Sequence, residues 1–560
     1  MKKPLPIGIS DYKKIVEEGY AYVDKTLLIE EVVKMGAEVC LIPRMRRFGK
    51  TLNLSMLYYF FDKGAKDYSY LFSSMKIWQN EAIRSLQGQF PTIFLTLKDV
   101  KFSSWKETYE SMARLMANEF SRHLYLLEGE TLIAKEKRVF LSILEEKGSS
   151  TLLAESLFYL TDWLYRFHKR RVILLIDEYD TPAHAAYVGG FYDTLISFLR
   201  NWLSSGLKDN KSLEKAVLTG ILRIAKESVF SGLNNVRTFT VLHSAFYDKF
   251  GLLESEVHAL LVNYGLQEKL DEIRQWYNGY RIGSYEGIYN PWSVLNCIAN
   301  KGELAPYWIN TSENALVKQL ITQGAEELKG DVEELVKGGT VEKILDEGVI
   351  FSDLSASPNA VWSLLLFSGY LTLATSPVYG LPCRLRIPNV EVGELYRSMI
   401  FEWFEKTIHQ AKYRLLLKSL TQGDVETFFK IFREFLTSTL SVFDISKEEP
   451  EKVYHAFVLG MLLGLKDSYE VKSNRESGYG RYDVMLIPKD PQALGLILEF
   501  KKVGQYDRTS LESAAASALK QIEERNYAQE LLDRGVQKML FLAMAFKGKK
   551  ISFLTKRRDF

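Results

Sequence analysis

The feature that most limits how this chain folds is Leu41-Ile-Pro-Arg-Met-Arg-Arg-Phe-Gly-Lys-Thr51. Ahead of it, Ala37-Glu-Val-Cys-Leu-Ile42 is short and apolar and reads as a buried strand. After it, Leu52-Asn-Leu-Ser-Met-Leu-Tyr-Tyr-Phe-Phe61 reads as a helix. Strand, tight turn, Gly49-Lys50-Thr51 and helix make the layout of a phosphate-binding loop. N–H groups at a helix start point at an anion, and the helix dipole favours its charge. In that layout Lys50 reaches the terminal phosphates and Thr51 gives its hydroxyl to Mg²⁺. The full pattern asks for glycine at position 44, to turn tightly and approach the phosphates, and this chain has Arg44. Arg46 and Arg47 crowd the loop further. Alone, the segment fits an ordinary helix start with surface arginines equally well, so the rest of the chain decides.

A partner lies downstream in Arg171-Val-Ile-Leu-Leu-Ile-Asp-Glu-Tyr-Asp180. Its uninterrupted apolar run predicts a buried parallel strand. Asp177 and Glu178 fall at the C-terminal end, where α/β sheets place ligand sites. This is the form of a Walker B motif, with Asp177 holding Mg²⁺ and Glu178 orienting or deprotonating an attacking water. The plainer alternative, a strand followed by a polar turn, weakens once a phosphate-loop candidate stands upstream. Lys215-Ala-Val-Leu-Thr-Gly220 predicts a third strand, with Thr219 at the end that meets a γ-phosphate or the attacking water. Arg223 follows, and both transition-state stabilisation and a structural ion pair stay open for it. Phe90–Leu97 reads as another strand of this sheet, followed by about seventy residues of helical periodicity. Nearer the start, Ile9–Gly19 and Leu27–Met35 read as helices, with Asp24 a helix cap and Lys25 a surface charge.

Composition sets outer limits. A length of 560 residues suggests about three or four domains. A net charge of +2 gives no global electrostatic argument for nucleic acid, so any basic surface is local. Cys40, Cys297 and Cys383 lie far apart, which suggests a reducing compartment without a disulfide framework. The N-terminus lacks an apolar signal region, and Val361–Thr375 is too short for a confident span, so a cytoplasmic location is expected.

A second chemistry sits near the C-terminus. Glu451–Gly464 reads as an amphipathic helix, and Tyr469–Asn474, Gly480–Ile487 and Leu494–Lys502 read as strands. Glu499 and Lys501 are two apart and share a face. With Asp483 they give D-x₁₅-E-x-K. Two carboxylates suit one or two divalent cations against a scissile phosphate, and lysine suits positioning water or stabilising developing charge. The alternative is a strand carrying a surface ion pair between Glu499 and Lys501. Glu451 and His455 share a helix face by spacing and read as structural first. Lys547-Gly-Lys-Lys550 and Lys556-Arg-Arg558 read as a basic tail, either solvated or contacting phosphate.

Arg46–Thr51, Leu175–Asp180 and Leu218–Asn235 together resemble the AAA-ATPase-like family, which is commonly fused to a C-terminal nuclease-fold domain. Trp276–Tyr280, Tyr289–Ser293, Tyr307–Ser312 and Leu364–Thr372 extend the resemblance over nearly the whole chain. That family tends to carry arginine where the first loop glycine would stand; its usual next residue is proline, here Met45. The resemblance implies ATP with Mg²⁺ or Mn²⁺, held by Arg47, Gly49, Lys50, Thr51, Asp177 and Thr219, with Thr51 and Asp177 toward the metal. The C-terminal pattern resembles the PD-(D/E)xK nuclease superfamily. That implies Glu476, Asp483 and Glu499 toward metal, and Asp483, Glu499, Lys501 and Gln521 as catalytic residues beside Glu178 in the ATPase site.

The expected fold is α/β: a P-loop NTPase-like parallel-sheet domain over 1–300, a mostly helical middle region over 301–445, and an α/β restriction-endonuclease-like domain over 446–560. The middle region reads as a helical lid or a winged-helix-like module. Expected partners are ATP and DNA, with no membrane and a homo-oligomer as an option. The function reads as an ATP-binding, ATP-hydrolysing protein coupled to a metal-dependent nuclease. The alternative is a nucleotide-binding regulator or DNA-binding protein without nuclease activity; a weaker third is an NTPase whose C-terminal fold is purely structural.

Overall fold

The computed structural model describes the chain apart from residues 1, 65, 223–233, 309–316, 318–319, 321–325, 337, 349–356, 379, 408–409, 440–457, 459–460, 466–467, 474–475, 478–479, 482, 504–506, 508, 525–526, 548–549 and 560. Two compact units result, 1–314 with 338–392 and 315–337 with 393–560. The middle stretch 301–445 is therefore divided between them.

In the first unit, described strands β1 (Val39–Pro43), β2 (Thr92–Thr96), β3 (Val172–Asp177), β4 (Leu213–Gly220) and β5 (Val236–Thr238) form one sheet in the order β2-β3-β4-β1-β5. Every pairing in it is parallel. Parallel strands need crossovers, and Lys50–Phe61, Trp105–Ser121, Ser156–His168 and Tyr192–Leu207 are among the helices between them. β1 and β3 are buried at every position, as uninterrupted apolar runs require. What positions the site is that β4 lies between β1 and β3. Ile42 pairs with Thr219 and Pro43 with Gly220, while Leu218 pairs with Ile176 on the other side. The C-terminal ends of the three strands thus meet.

The same unit holds the hairpin β6 (Tyr280–Ile282) and β7 (Tyr285–Ile288), the Pro291–Ala299 helix, and an antiparallel sheet β8-β10-β9. That last sheet is built from β8 (Val341–Lys343), β9 (Thr372–Leu373) and β10 (Cys383–Arg386), within a stretch read as helical. Strands of two to four residues are too short to show a period of two. Val361–Thr375 is a buried helix end and strand, as its apolar run predicts. No described helix is long and apolar enough to cross a membrane.

The second unit has a mixed sheet in the order β11-β14-β15-β16-β17. Its strands are β11 (Tyr469–Ser473), β14 (Val484–Pro488), β15 (Gly495–Lys502), β16 (Lys538–Lys547) and β17 (Lys550–Asp559); β12 (Glu476–Ser477) and β13 (Gly480–Arg481) pair as a separate hairpin. β15 and β16 are parallel, joined through the Leu511–Glu524 helix, and the other neighbours are antiparallel. Met485, Ile497, Ile522, Tyr527, Leu531 and Phe541 fill one core between sheet and helix. The C-terminal basic run is a strand and not a free tail. Lys556 and Arg558 lie in β17 and pair with Glu523 on that helix, both at 2.5 Å. Lys547 donates to the Asp507 carbonyl at 3.1 Å. Glu451 and His455 lie outside the described residues.

Candidate functional site

The loop after β1 turns with two residues in the left-handed region, Arg47 at φ 65° and Gly49 at φ 82°. Arg44 is not in that region, so its position has no need of glycine. Its side chain instead runs into the protein, fully buried. The guanidinium donates to the carbonyls of Pro43 (2.8 Å), Phe239 (2.5 Å) and Ala245 (2.9 Å) and lies over the Phe250 ring. Burial pushes its pKa down to about 9, with Glu31 opposing the shift. Arg44 therefore staples the end of β1 to the chain at 239–250 and does not face the loop's interior. Met45 and Phe48 are buried as well. Phe48 meets the Tyr280 ring edge-on at 5.1 Å, and Met45 lies beside Gly369. Trp276–Tyr280 is thus partly explained as core: Tyr277 and Tyr280 are buried.

Lys50 starts the helix and is buried, its ammonium donating to the carbonyls of Arg44 (3.0 Å) and Met45 (3.1 Å). Burial lowers its pKa, while the carboxylates of Glu178, Asp177 and Asp180 pull the other way. Asp177 is fully buried between two hydroxyls: Thr51 donates to one carboxylate oxygen and Thr219 to the other, each at 2.7 Å. The strand order β3-β4-β1 makes that double acceptance available. Glu178 sits at φ 50°, a conformation L residues adopt at a cost. Burial raises its pKa, and the negative charges of Asp177 and Asp180 add to the shift. A carboxylate raised in this way suits a general base. Arg223 lies outside the described residues.

Sequence reasoning missed Asp180 and Gly220. One Asp180 oxygen accepts from the N–H groups of Ile221 and Leu222, both at 2.8 Å, and the Tyr179 hydroxyl donates to the Leu222 carbonyl at 2.7 Å. A Cβ at Gly220 would stand 2.4 Å from the other Asp180 oxygen and 2.9 Å from the Tyr179 ring. Gly220→Ala is therefore expected to destabilise the protein by ~1–3 kcal/mol, read from denaturant melting. The available signal was the spacing Asp177-Glu-Tyr-Asp180 ahead of a strand ending in Thr-Gly. Lys25 lies inside the first unit. It is no surface charge: its ammonium is buried against Glu256, at 2.6 and 2.7 Å, and the Asp248 carbonyl at 2.8 Å. Asp24 is not the helix cap either: the Leu27–Lys34 helix has Thr26 at its N-cap, and Asp24 accepts from the Thr26 N–H at 2.9 Å and the Lys76 N–H at 2.7 Å.

In the second unit, antiparallel pairing of Val484 with Leu498 sets Asp483 beside Glu499. Asp483 accepts from the Phe500 N–H at 2.8 Å. Glu499 is 2% exposed. The Gln521 amide N–H₂ donates to one Glu499 oxygen and, at 3.2 Å, to the Tyr527 hydroxyl; its carbonyl accepts from Lys501 at 2.7 Å. Lys501 itself stands 3.7 Å from Glu499. Gln521 is thus the middle of a chain from Lys501 to Glu499; the Lys501 ammonium, which can only donate, fixes which way its amide faces, and the Tyr527 hydroxyl accepts from the same N–H₂. Tyr527 was not legible as a site residue, because a buried tyrosine after a helix reads as core. The second Glu499 oxygen is buried without a hydrogen-bond partner among the described residues. Burial, then the negative charge of Asp483, pushes the Glu499 pKa up to about 8. An unpartnered buried oxygen beside a second carboxylate fits a divalent cation, which supplies the missing positive charge. The Glu476 side chain lies outside the described residues, and no group of three or more His, Cys, Asp or Glu side chains suited to a metal occurs among the described ones.

Comparison with known proteins follows the same division. Residues 6–230 match the family model described as a predicted AAA-ATPase, and residues 449–556 match that of the PD-(D/E)XK nuclease superfamily. An uncharacterised protein from the vnfD 5′ region of Azotobacter chroococcum is 27% identical over 555 residues, covering 95% of each chain. A Walker-type ATPase of Pyrococcus abyssi aligns over 70% of this chain and 98% of its own, with 14% identity and a TM-score of 0.35.

Proposed function

We propose that this chain, which carries an AAA-ATPase-like domain and a PD-(D/E)XK nuclease-superfamily domain, binds and hydrolyses ATP in its first unit and cleaves DNA with a divalent cation in its second. In the first unit Lys50 exchanges the carbonyls of Arg44 and Met45 for nucleotide phosphates, and Thr51 and Asp177 hold Mg²⁺. Thr219 keeps Asp177 aligned, and Glu178 takes the proton of the attacking water. In the second, Asp483 and Glu499 hold Mg²⁺ or Mn²⁺, which when bound neutralises charge on the scissile phosphate and acidifies a water. Lys501, aimed by Gln521, donates to the charge that develops on that phosphate.

The observation that carries the nuclease reading is the buried Glu499 oxygen without a partner, beside Asp483 and linked to Lys501 through Gln521. The reading without nuclease activity draws on the same residue, since a carboxyl with its pKa near 8 binds metal weakly at neutral pH. Purified full-length protein is incubated with linear, circular and single-stranded DNA, with Mg²⁺ or Mn²⁺ and with or without ATP. Metal-dependent cleavage that Lys501→Ala removes is the expected result. Absence of cleavage on every substrate and metal removes the nuclease reading: protein that binds ATP without turning it over favours the regulator, and protein that still hydrolyses ATP favours an NTPase with a structural C-terminal fold.

A further inference from the structure

Arg47 stands at the apex of the phosphate loop, exposed, in a backbone conformation that L residues rarely adopt. Its guanidinium carbon lies 4.3 Å from the centre of the Trp292 ring. Among the described residues its N–H groups donate to no protein acceptor. A guanidinium stacks through its face and recognises phosphate through its edge, so the two contacts do not compete. The stack on Trp292 fixes the plane and leaves the N–H edge of Arg47 free.

Trp292 is built to hold still. Its ring N–H donates to the Tyr307 carbonyl at 3.2 Å, and its backbone N–H is capped by the buried Asn290 at 2.9 Å. The next residue, Ser293, donates to the buried Glu391 carboxylate at 2.7 Å, whose other oxygen accepts from the Trp308 N–H at 2.7 Å. A fixed aromatic face under a strained loop arginine is a costly arrangement for a purely solvated side chain.

We propose that Trp292 is a positioning residue for nucleotide: it orients Arg47 so that the guanidinium edge contacts the phosphate chain. This rests on the assignment of the loop to ATP binding. Restraining a long side chain in advance removes ordering cost from binding, so the contribution appears as affinity.

The test is a titration of full-length protein with a fluorescent ATP analogue and with ADP, for wild type, Lys50→Ala, Arg47→Ala, Trp292→Leu, Trp292→Phe and the Arg47→Ala/Trp292→Leu double variant. Trp292→Leu is expected to weaken binding by ~2- to 12-fold, the affinity equivalent of ordering one long side chain on binding. Trp292→Phe is expected to restore most of it, since a ring face remains. In the double variant the leucine has no further effect beyond Arg47→Ala. In steady state the loss falls on KM more than kcat. A Trp292→Leu defect that persists undiminished in the Arg47→Ala background overturns the proposal, as does unchanged affinity in Trp292→Leu. Those outcomes differ from failure of the underlying assignment, in which wild type binds no nucleotide or Lys50→Ala binds as wild type does.

Discussion

Lys50→Ala is expected to lower ATP hydrolysis by ~10²- to 10³-fold, the scale for losing one preorganised charge-stabilising donor, and to weaken ATP binding by at least ~10-fold. The reason lies in where the ammonium sits. It is buried at the start of the helix, within reach of two loop carbonyls and in the field of Asp177, Glu178 and Asp180. Burial already disfavours its charge, so a polyphosphate that replaces carbonyl dipoles with full negative charge gains more from this lysine than from a solvated one. The loop itself is expected to survive the substitution. Arg44 ties its start to the carbonyls of Phe239 and Ala245, and Met45 and Phe48 anchor it in apolar surroundings. Phosphate release and calorimetric ATP titration on the folded variant check both numbers; turnover within a few-fold of wild type contradicts the assignment of this loop.

The strand–turn–helix around Lys50, the strand ending in Asp177-Glu178 and the strand carrying Glu499 and Lys501 were legible because each is local: a run of apolar residues and a polar end lie within one short window, whereas Asp483 meets Glu499 only through the pairing of Val484 with Leu498. The resulting α/β sheets follow from those windows. What stayed hidden depended on partners far away in sequence. Arg44 looked like a missing glycine, and its acceptors are 195 and 201 residues downstream. Lys25 looked like a surface charge, and its carboxylate partner is 231 residues away. The basic run at the C-terminus looked like a solvated tail because nothing in the run announces Glu523 opposite it. Asp180 and Tyr527 carried polar atoms whose acceptors and donors only the fold brings near. In each case the side-chain type was visible and the destination was not.

Glu499→Gln is expected to abolish metal-induced stabilisation and to cut cleavage by at least ~100-fold, since loss of even an outer-shell partner costs ~10–100-fold in metal affinity or activity. Glu499 also fixes the pH dependence. Its pKa is raised from 4.5 to about 8 in the fold by burial and by Asp483. The folded metal-free protein therefore keeps a proton that the unfolded chain has released. The corresponding stability is fully present below about pH 4.5 and is lost as pH rises through about 8. A divalent cation reverses this, because it binds the deprotonated carboxylate and must displace that proton. Its affinity is expected to rise by ~10-fold per pH unit until the carboxyl is ionised. In thermal melts, Mg²⁺ then stabilises the protein more at about pH 8 than at about pH 6, and metal-dependent cleavage climbs over the same window. Glutamine has no proton to lose and offers only a neutral oxygen, so this contribution to both trends disappears in Glu499→Gln. A Mg²⁺-induced shift that survives the substitution, or one that is larger at the lower pH, is incompatible with a cation held between Asp483 and Glu499.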